Sequence, residues 1–124
     1  MITIDYQSRI PIYEQIVERF EMLILKGVLE PDDQMPSVRS LALQLSINPN
    51  TIQKAYTQLE QQGYIYPVKG RGNFVSGSGK LAEEKKQAFF QDLDALLAYG
   101  REIGITQNEC RNYIDQYYSE GGAS

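Results

Sequence analysis

The chain has no histidine and a single cysteine, Cys110, among its 124 residues. Without histidine, both the commonest general base and the commonest zinc ligand are missing. Ser-His-Asp and Cys-His arrangements are excluded, which leaves carboxylates and lysines as the acid–base groups an enzyme could use. One cysteine cannot form an intrachain disulfide, so the covalent framework gives no sign of an oxidising compartment. Long hydrophobic runs are also absent. Runs such as Met22–Leu25 fall far short of the roughly 18–20 residues a membrane span needs. The N-terminal stretch MITIDYQSR lacks the basic-then-apolar layout of a signal peptide. These absences predict a cytoplasmic protein with no membrane partner, no metal and no cofactor.

Positive charge is scarce as well. Twelve Lys and Arg against sixteen Asp and Glu leave a net charge of −4, a poor match to nucleic acid at first sight. The distribution tells more than the sum. Between Pro36 and Ser76 the charged residues are Arg39, Lys54, Glu60, Lys69 and Arg71, four cations against one carboxylate. Acid is concentrated elsewhere, at Glu14, Glu18 and Glu21 and again at Glu83, Glu84, Asp92 and Asp94. One basic segment therefore sits inside an acidic protein. Hydrophobic content of 42% and charged content of 23% are ordinary for a globular chain. The length suits one domain with a small appendage.

Residues 2–4, ITI, suggest a short strand. Pro11 then opens a helix in which Ile12, Ile16, Phe20, Leu23 and Ile24 form an apolar stripe, with Gly27 as its stop. EPDDQMP reads as a loop. Ser37 is a good cap for a short second helix, Val38–Leu45. After a tight connection, Asn48 and Pro49 are two agreeing start signals for a third helix. That helix buries Ile52, Ala55, Tyr56 and Leu59 and ends at Gln62, before Gly63. YIYPV and NFV, separated by KGRG, form a hairpin. SGSGK is a flexible linker. A fourth helix spans Leu81–Ile103. Thr106 and Glu109 form a capping box for a fifth that runs to about Tyr118 and buries Cys110, Ile114 and Tyr117, leaving SEGGAS as a frayed tail.

Two short helices joined by a tight turn make a helix-turn-helix, and the hairpin after them makes it a winged one. In such a motif the second helix enters the major groove while the first crosses the phosphate backbone. The outward face of the third helix carries Asn50, Gln53, Lys54 and Thr57, with Thr51 at its edge. Amides and hydroxyls of this kind pair with base edges; the competing reading is a plain solvated face. Arg39 stands in the first turn of its helix, where positive charge opposes the helix dipole. A phosphate held by the guanidinium and the free N–H groups would remove that conflict. The alternative is a surface salt bridge to Asp32 or Asp33. Lys69, Gly70, Arg71 and Gly72 form a tip that allows close approach to a negative wall.

Residues 35–75, MPSVRSLALQLSINPNTIQKAYTQLEQQGYIYPVKGRGNFV, resemble the winged helix-turn-helix of GntR-type bacterial transcription regulators. PSVR, LA, TIQKAY, GYI and GRGNFV carry the likeness, and PIYEQI at residues 11–16 is similar to the family's first helix. INPNT and the short tail look like the YtrA-like subfamily. The resemblance implies sequence-specific binding of double-stranded DNA as a homodimer, as a repressor. Ser37 and Arg39 would then touch the backbone and bases, Thr51 would be the recognition-helix threonine, and Gly70, Arg71 and Gly72 the wing tip. Many relatives carry arginine where this chain has Pro49 and Gln53, so the likeness transmits no base preference.

Two C-terminal helices rarely bury enough apolar surface to stand alone. Phe89, Phe90, Leu93, Leu96, Leu97, Tyr113, Ile114 and Tyr117 need a partner, Gly100 would let two helices approach closely, and a second copy is the simplest partner; docking on the chain's own first helix is the alternative. The expected fold is mainly α with a small β-hairpin: a winged helix-turn-helix over residues 1–76, a linker over 77–80 and a two-helix dimerisation element over 81–124. The tail looks too small for a ligand pocket, which leaves any small-molecule effector unknown. The nine tyrosines read as helix-face and strand residues, not as an aromatic cage. Against the regulator stand a winged-helix protein-interaction module that never touches DNA and a nucleotide-binding enzyme built on Gly70-Arg71-Gly72. The enzyme would need a helix directly after the glycines, where β-prone residues stand instead.

Overall fold

Ile16, Val17 and Phe20 recur three or four residues apart, so they share one face of helix α1, Ile12–Leu25, and all three are buried. That face packs on α3, Pro49–Gln61, through Ile52, Ala55, Tyr56 and Leu59. Helix α2, Val38–Leu45, adds Leu41 and Ala42 to the same core. A two-stranded antiparallel sheet follows, β1 Ile65–Val68 and β2 Gly72–Val75, in which Ile65 pairs with Val75 and Val68 with Gly72. Two longer helices complete the chain, α4 Lys80–Glu102 and α5 Gln107–Glu120. The structure, a computed structural model, describes residues 2–77 and 79–120, and of Lys80 only the backbone. The chain divides into two compact units, Met1–Ala82 and Glu83–Ser124, with the division inside α4.

Local chemistry explains the helix boundaries. Ser37 Oγ accepts the Ser40 N–H at 3.0 Å and Asn48 Oδ1 the Asn50 N–H at 2.8 Å, so each cap satisfies an orphan donor at its helix start. Thr106 and Glu109 exchange side chain–backbone bonds of 3.1 and 2.9 Å, the reciprocal capping box expected before α5. Four helices close with the Schellman pattern, in which the last N–H reaches back five residues: Val28 to Leu23, Ile47 to Ala42, Tyr64 to Leu59 and Ile105 to Gly100. Three of these place glycine in the left-handed region. The turn between α2 and α3 places Ser46 there, at φ 55°.

The core of the first unit is fully buried at Phe20, Tyr56, Leu59 and Val75. Phe20 meets Tyr56 edge to face, with ring centroids 5.9 Å apart. The Tyr56 hydroxyl donates to Pro36 O at 2.7 Å, just before the cap of α2. Burial pushes its pKa upward, so it stays a neutral donor. Leu81, in the first turn of α4, packs against this same core.

Several expectations need correction. Residues 2–4 form no strand. Ile2 is buried, and the chain just after this segment is tied down by a side chain. Buried Gln15 accepts the Asp5 N–H and donates to the carbonyls of Asp5 and Ile10, each at 2.9 Å. Every polar atom of that amide is thus engaged with a backbone that has no strand partner. Pro11 is the cap of α1, not its first residue, and α3 ends at Gln61 with Gln62 as its cap. The hairpin connection is three residues, since Gly72 belongs to β2. In the second unit, Cys110 is half-buried while Ile114 and Tyr117 are exposed at 48% and 67%. Neither is buried within the protomer. The proposed linker includes Ser78 and the frayed tail includes residues 121–124, which lie outside the described residues; Ser119 and Glu120 continue α5.

Candidate nucleic-acid interface

Three pieces of the first unit carry the side chains singled out in the sequence. Their positions follow from the caps and from the core beneath them. The start of α2 presents Arg39, exposed in the first turn. Neither candidate acid pairs with it. Asp32 Oδ1 accepts the Tyr66 hydroxyl at 2.6 Å, and Asp33 Oδ2 accepts the Glu30 N–H at 2.8 Å. The adjacent Asp32 carboxylate raises the pKa of Tyr66 by accepting that bond. Among the described residues Arg39 therefore has no acidic partner for its charge at a helix N-terminus, the arrangement that a bound phosphate stabilises. Ser37 is exposed, but its side chain is occupied as the cap.

Helix α3 turns Ile52, Ala55, Tyr56 and Leu59 inward, which leaves Asn50, Gln53, Lys54 and Thr57 exposed on the opposite face. Thr51 is half-buried at the edge. Gln53 Nε2 donates to Thr57 Oγ1 at 3.2 Å, so these two side chains are aligned along the helix. Lys54 departs from the expected picture: its Nζ lies 3.9 Å from the centroid of the Tyr13 ring in α1. This cation–π contact holds the ammonium to the neighbouring helix. A phosphate or base must compete with it for Lys54.

The hairpin tip is Lys69, Gly70 and Arg71, all exposed. The Arg71 N–H donates to Val68 O at 2.9 Å and closes a four-residue turn whose third member, Gly70, has φ 77°. A type II turn requires that sign, and glycine adopts it without a Cβ penalty. Gly72 follows with φ 112°.

Sequence reasoning missed what holds this tip. The loop before α2 does not merely connect; residues 32–35 run antiparallel to β2 as a third, strand-like segment. Asp32 N–H donates to Val75 O at 2.8 Å, Val75 N–H to Asp33 O at 2.9 Å and Met35 N–H to Asn73 O at 2.8 Å, around a bridge between Gln34 and Phe74. Asp32 takes φ 68° to enter that pairing. PDDQMP has no alternation of apolar and polar residues, the usual mark of a strand. Gln15 did leave a signal: it is a polar residue beside the apolar stripe of α1.

In the second unit the proposed dimerisation residues are mostly exposed. Phe89, Leu96, Ile114 and Tyr117 expose about half or more of their surface, and Leu93 is half-buried. Gly100 is buried under Ile105, whose side-chain carbons lie 3.7 Å from where a Cβ would stand. Its place in the closing turn of α4 accounts for that burial without a second helix.

Residues 12–75 match the model of the bacterial regulatory proteins of the gntR family. Over 118 residues the chain is 39% identical to the transcriptional repressor YtrA of Bacillus subtilis strain 168, covering 94% of this chain and 91% of that protein. A transcriptional regulator from Oenococcus oeni is similar in structure, with a TM-score of 0.75 at 30% identity over 94% of this chain and 98% of the other. AraR(DBD), solved in complex with operator ORX1, is similar over 60% of this chain and 96% of its own, with a TM-score of 0.56 at 31% identity. These relatives are regulators of transcription, not enzymes. Among the described residues no helix is long and apolar enough to cross a membrane. The winged helix-turn-helix, the order of its elements and the match over residues 12–75 lead to one assignment: the chain belongs to the GntR family of bacterial regulatory proteins.

Proposed function

We propose that the protein is a transcriptional repressor that binds a two-fold-symmetric operator as a homodimer, with α3 in the major groove and the β1–β2 hairpin as a wing. The observation that carries this reading is the exposed face of α3. Asn50, Gln53 and Thr57 offer amides and a hydroxyl suited to base edges, flanked by the exposed Arg39 and the cationic tip Lys69-Gly70-Arg71. A relative over most of the chain is a repressor, and a structural neighbour was solved on its operator. In this reading residues 1–76 bind DNA, 77–80 link and 81–124 dimerise, with Leu81 tying the first turn of α4 to the DNA-binding unit. A groove of about 200 Å³ beside Leu29, Val75 and Leu81 is smaller than the roughly 300 Å³ usual for small-molecule sites, so no effector is assigned to it.

Selection of bound sequences from a random duplex library tests the proposal. The expected product is an inverted repeat whose half-sites are about one helical turn, roughly 34 Å, apart. Recovery of no enriched sequence at low salt overturns it. Arg39→Ala is expected to weaken binding to the selected duplex and to reduce the slope of log affinity against log salt by about one. Unchanged affinity would remove Arg39 from the interface.

Gly70→Val probes the wing. A Cβ at Gly70 meets nothing within 4 Å, so the substitution strains the turn only through its φ of 77°. That strain is on the order of 1–2 kcal/mol in the folded state. A mobility shift is expected to show a loss of about tenfold or more, because the distorted tip also presents Lys69 and Arg71 wrongly. Wild-type affinity in this variant would reduce the tip to a simple connection.

A further inference from the structure

Gln34 stands out in the segment that braces the wing. Its Nε2 donates to Arg71 O at 2.8 Å across 37 residues of sequence, and it lies 3.4 Å from where a Cβ on Gly72 would stand. Its own backbone forms the bridge to Phe74. Continuing that antiparallel register would bring the Ser37 N–H to Arg71 O. Ser37 is instead committed as the N-cap of α2, where the chain turns away. The Gln34 amide supplies the donor that the interrupted ladder does not.

We infer that Gln34 is a positioning residue for the wing: it fixes the backbone of Arg71 so that the guanidinium meets DNA in one orientation. The inference rests on the DNA-binding reading above. Arg71 is exposed at the end of a three-residue connection, and its own turn bond to Val68 ties it only within the hairpin. The Gln34 bond ties it to the loop that leads directly into Pro36, Ser37 and Arg39. Tip and α2 start are thereby held in one frame, so two cationic contacts on the phosphate backbone keep a set spacing. Ordering a contact before binding raises affinity by reducing what must be immobilised on the DNA.

The test uses the full chain with Gln34→Met, which keeps the side-chain length and neutrality but removes the donor. In the free protein, the amide of Arg71 is expected to exchange with solvent several-fold faster, while the amides of α3 are unchanged. On the selected duplex, Gln34→Met is expected to lose about fivefold in affinity, within the range of one net hydrogen bond. In an Arg71→Ala background the same change is expected to lose less than about twofold, because the side chain it positions is gone. Gln34→Lys, which restores a donor on a long stem, is expected to recover the slow exchange at Arg71. Additive losses in the double variant overturn the inference, since a general weakening of the fold acts regardless of Arg71. Unchanged exchange at Arg71 in Gln34→Met overturns it too. A wild-type protein that binds no duplex overturns the role on DNA and the proposed function together; the exchange measurement then still reports separately whether Gln34 holds the tip.

Discussion

Paired glutamates at Leu96 and Ile114 are expected to convert the proposed homodimer to a monomer and to lower its operator affinity by about a hundredfold or more. Leu96 is 64% exposed and Ile114 48% exposed, alongside Phe89, Phe90, Tyr113 and Tyr117 on the same two helices. Full burial of such a side chain contributes on the order of 1.5–3 kcal/mol, so several together suffice to hold two copies. A carboxylate forced into the same contact has no partner and costs several kcal/mol. The effect on DNA binding is larger than the loss of any single contact. In a dimer, the second half-site is engaged at a high effective concentration, which multiplies affinity by about 10²–10⁴. The measurement is mass by sedimentation, together with titration of a full operator and of a half-site. Half-site affinity is expected to stay within about twofold of wild type. Helix content is expected to persist, because glutamate is a good helix former and both positions are exposed in the protomer. A variant that stays dimeric would assign self-association to another surface.

Phe20→Ala is expected to destabilise the first unit by about 3–5 kcal/mol, the range for a buried phenylalanine truncated to alanine. Phe20 has no solvent exposure and touches the ring of Tyr56. Its removal opens a cavity between α1 and α3 in the middle of the core. Tyr56 also carries the hydroxyl bonded to Pro36 O, so loosening it reaches the start of α2 and the placement of Arg39. The total stability of a domain is about 5–15 kcal/mol, which makes this a large fraction. Denaturant unfolding checks the prediction, with wild type and variant at equal protein concentration because the proposed self-association would contribute to apparent stability. The midpoint should fall while the slope stays constant. A loss below about 1 kcal/mol would mean that the α1–α3 contact is not what holds the unit.

Much of the fold was legible because its signals are short-range. Ser37 and Asn48 predict helix starts through a side chain that reaches two or three residues ahead, and both bonds are present. Gly27, Gly63 and Gly104 mark helix ends through a backbone angle that only glycine adopts freely. The apolar spacing of α1 and α3 predicts which faces meet, and those faces are buried. The outward face of α3 was legible by subtraction, once the buried stripe was assigned. The likeness of residues 35–75 to a known family then joined these local readings into one motif.

What was not legible depends on residues far apart in sequence. Nothing within PDDQMP shows that it pairs with β2 forty residues later, or that Gln34 reaches Arg71. The fate of Ile2–Ile4 was misjudged because a strand needs a partner edge, and the chain that follows is held instead at Asp5 and Ile10 by the Gln15 amide. Lys54 was assigned to the outward face by periodicity, but its long stem lets the ammonium settle on Tyr13 in another helix. Gly100 suggested a close helix contact, yet Ile105 covers it through the turn that ends α4. The sequence by itself determined the five helices, the caps that start α2, α3 and α5, and the chemistry of the α3 face, since these rest on backbone angles and on side chains a few residues apart. Only the tertiary structure decided how the wing is braced, that neither Asp32 nor Asp33 pairs with Arg39, and which apolar surface the protomer leaves exposed, because each of these depends on which distant groups packing brings within reach.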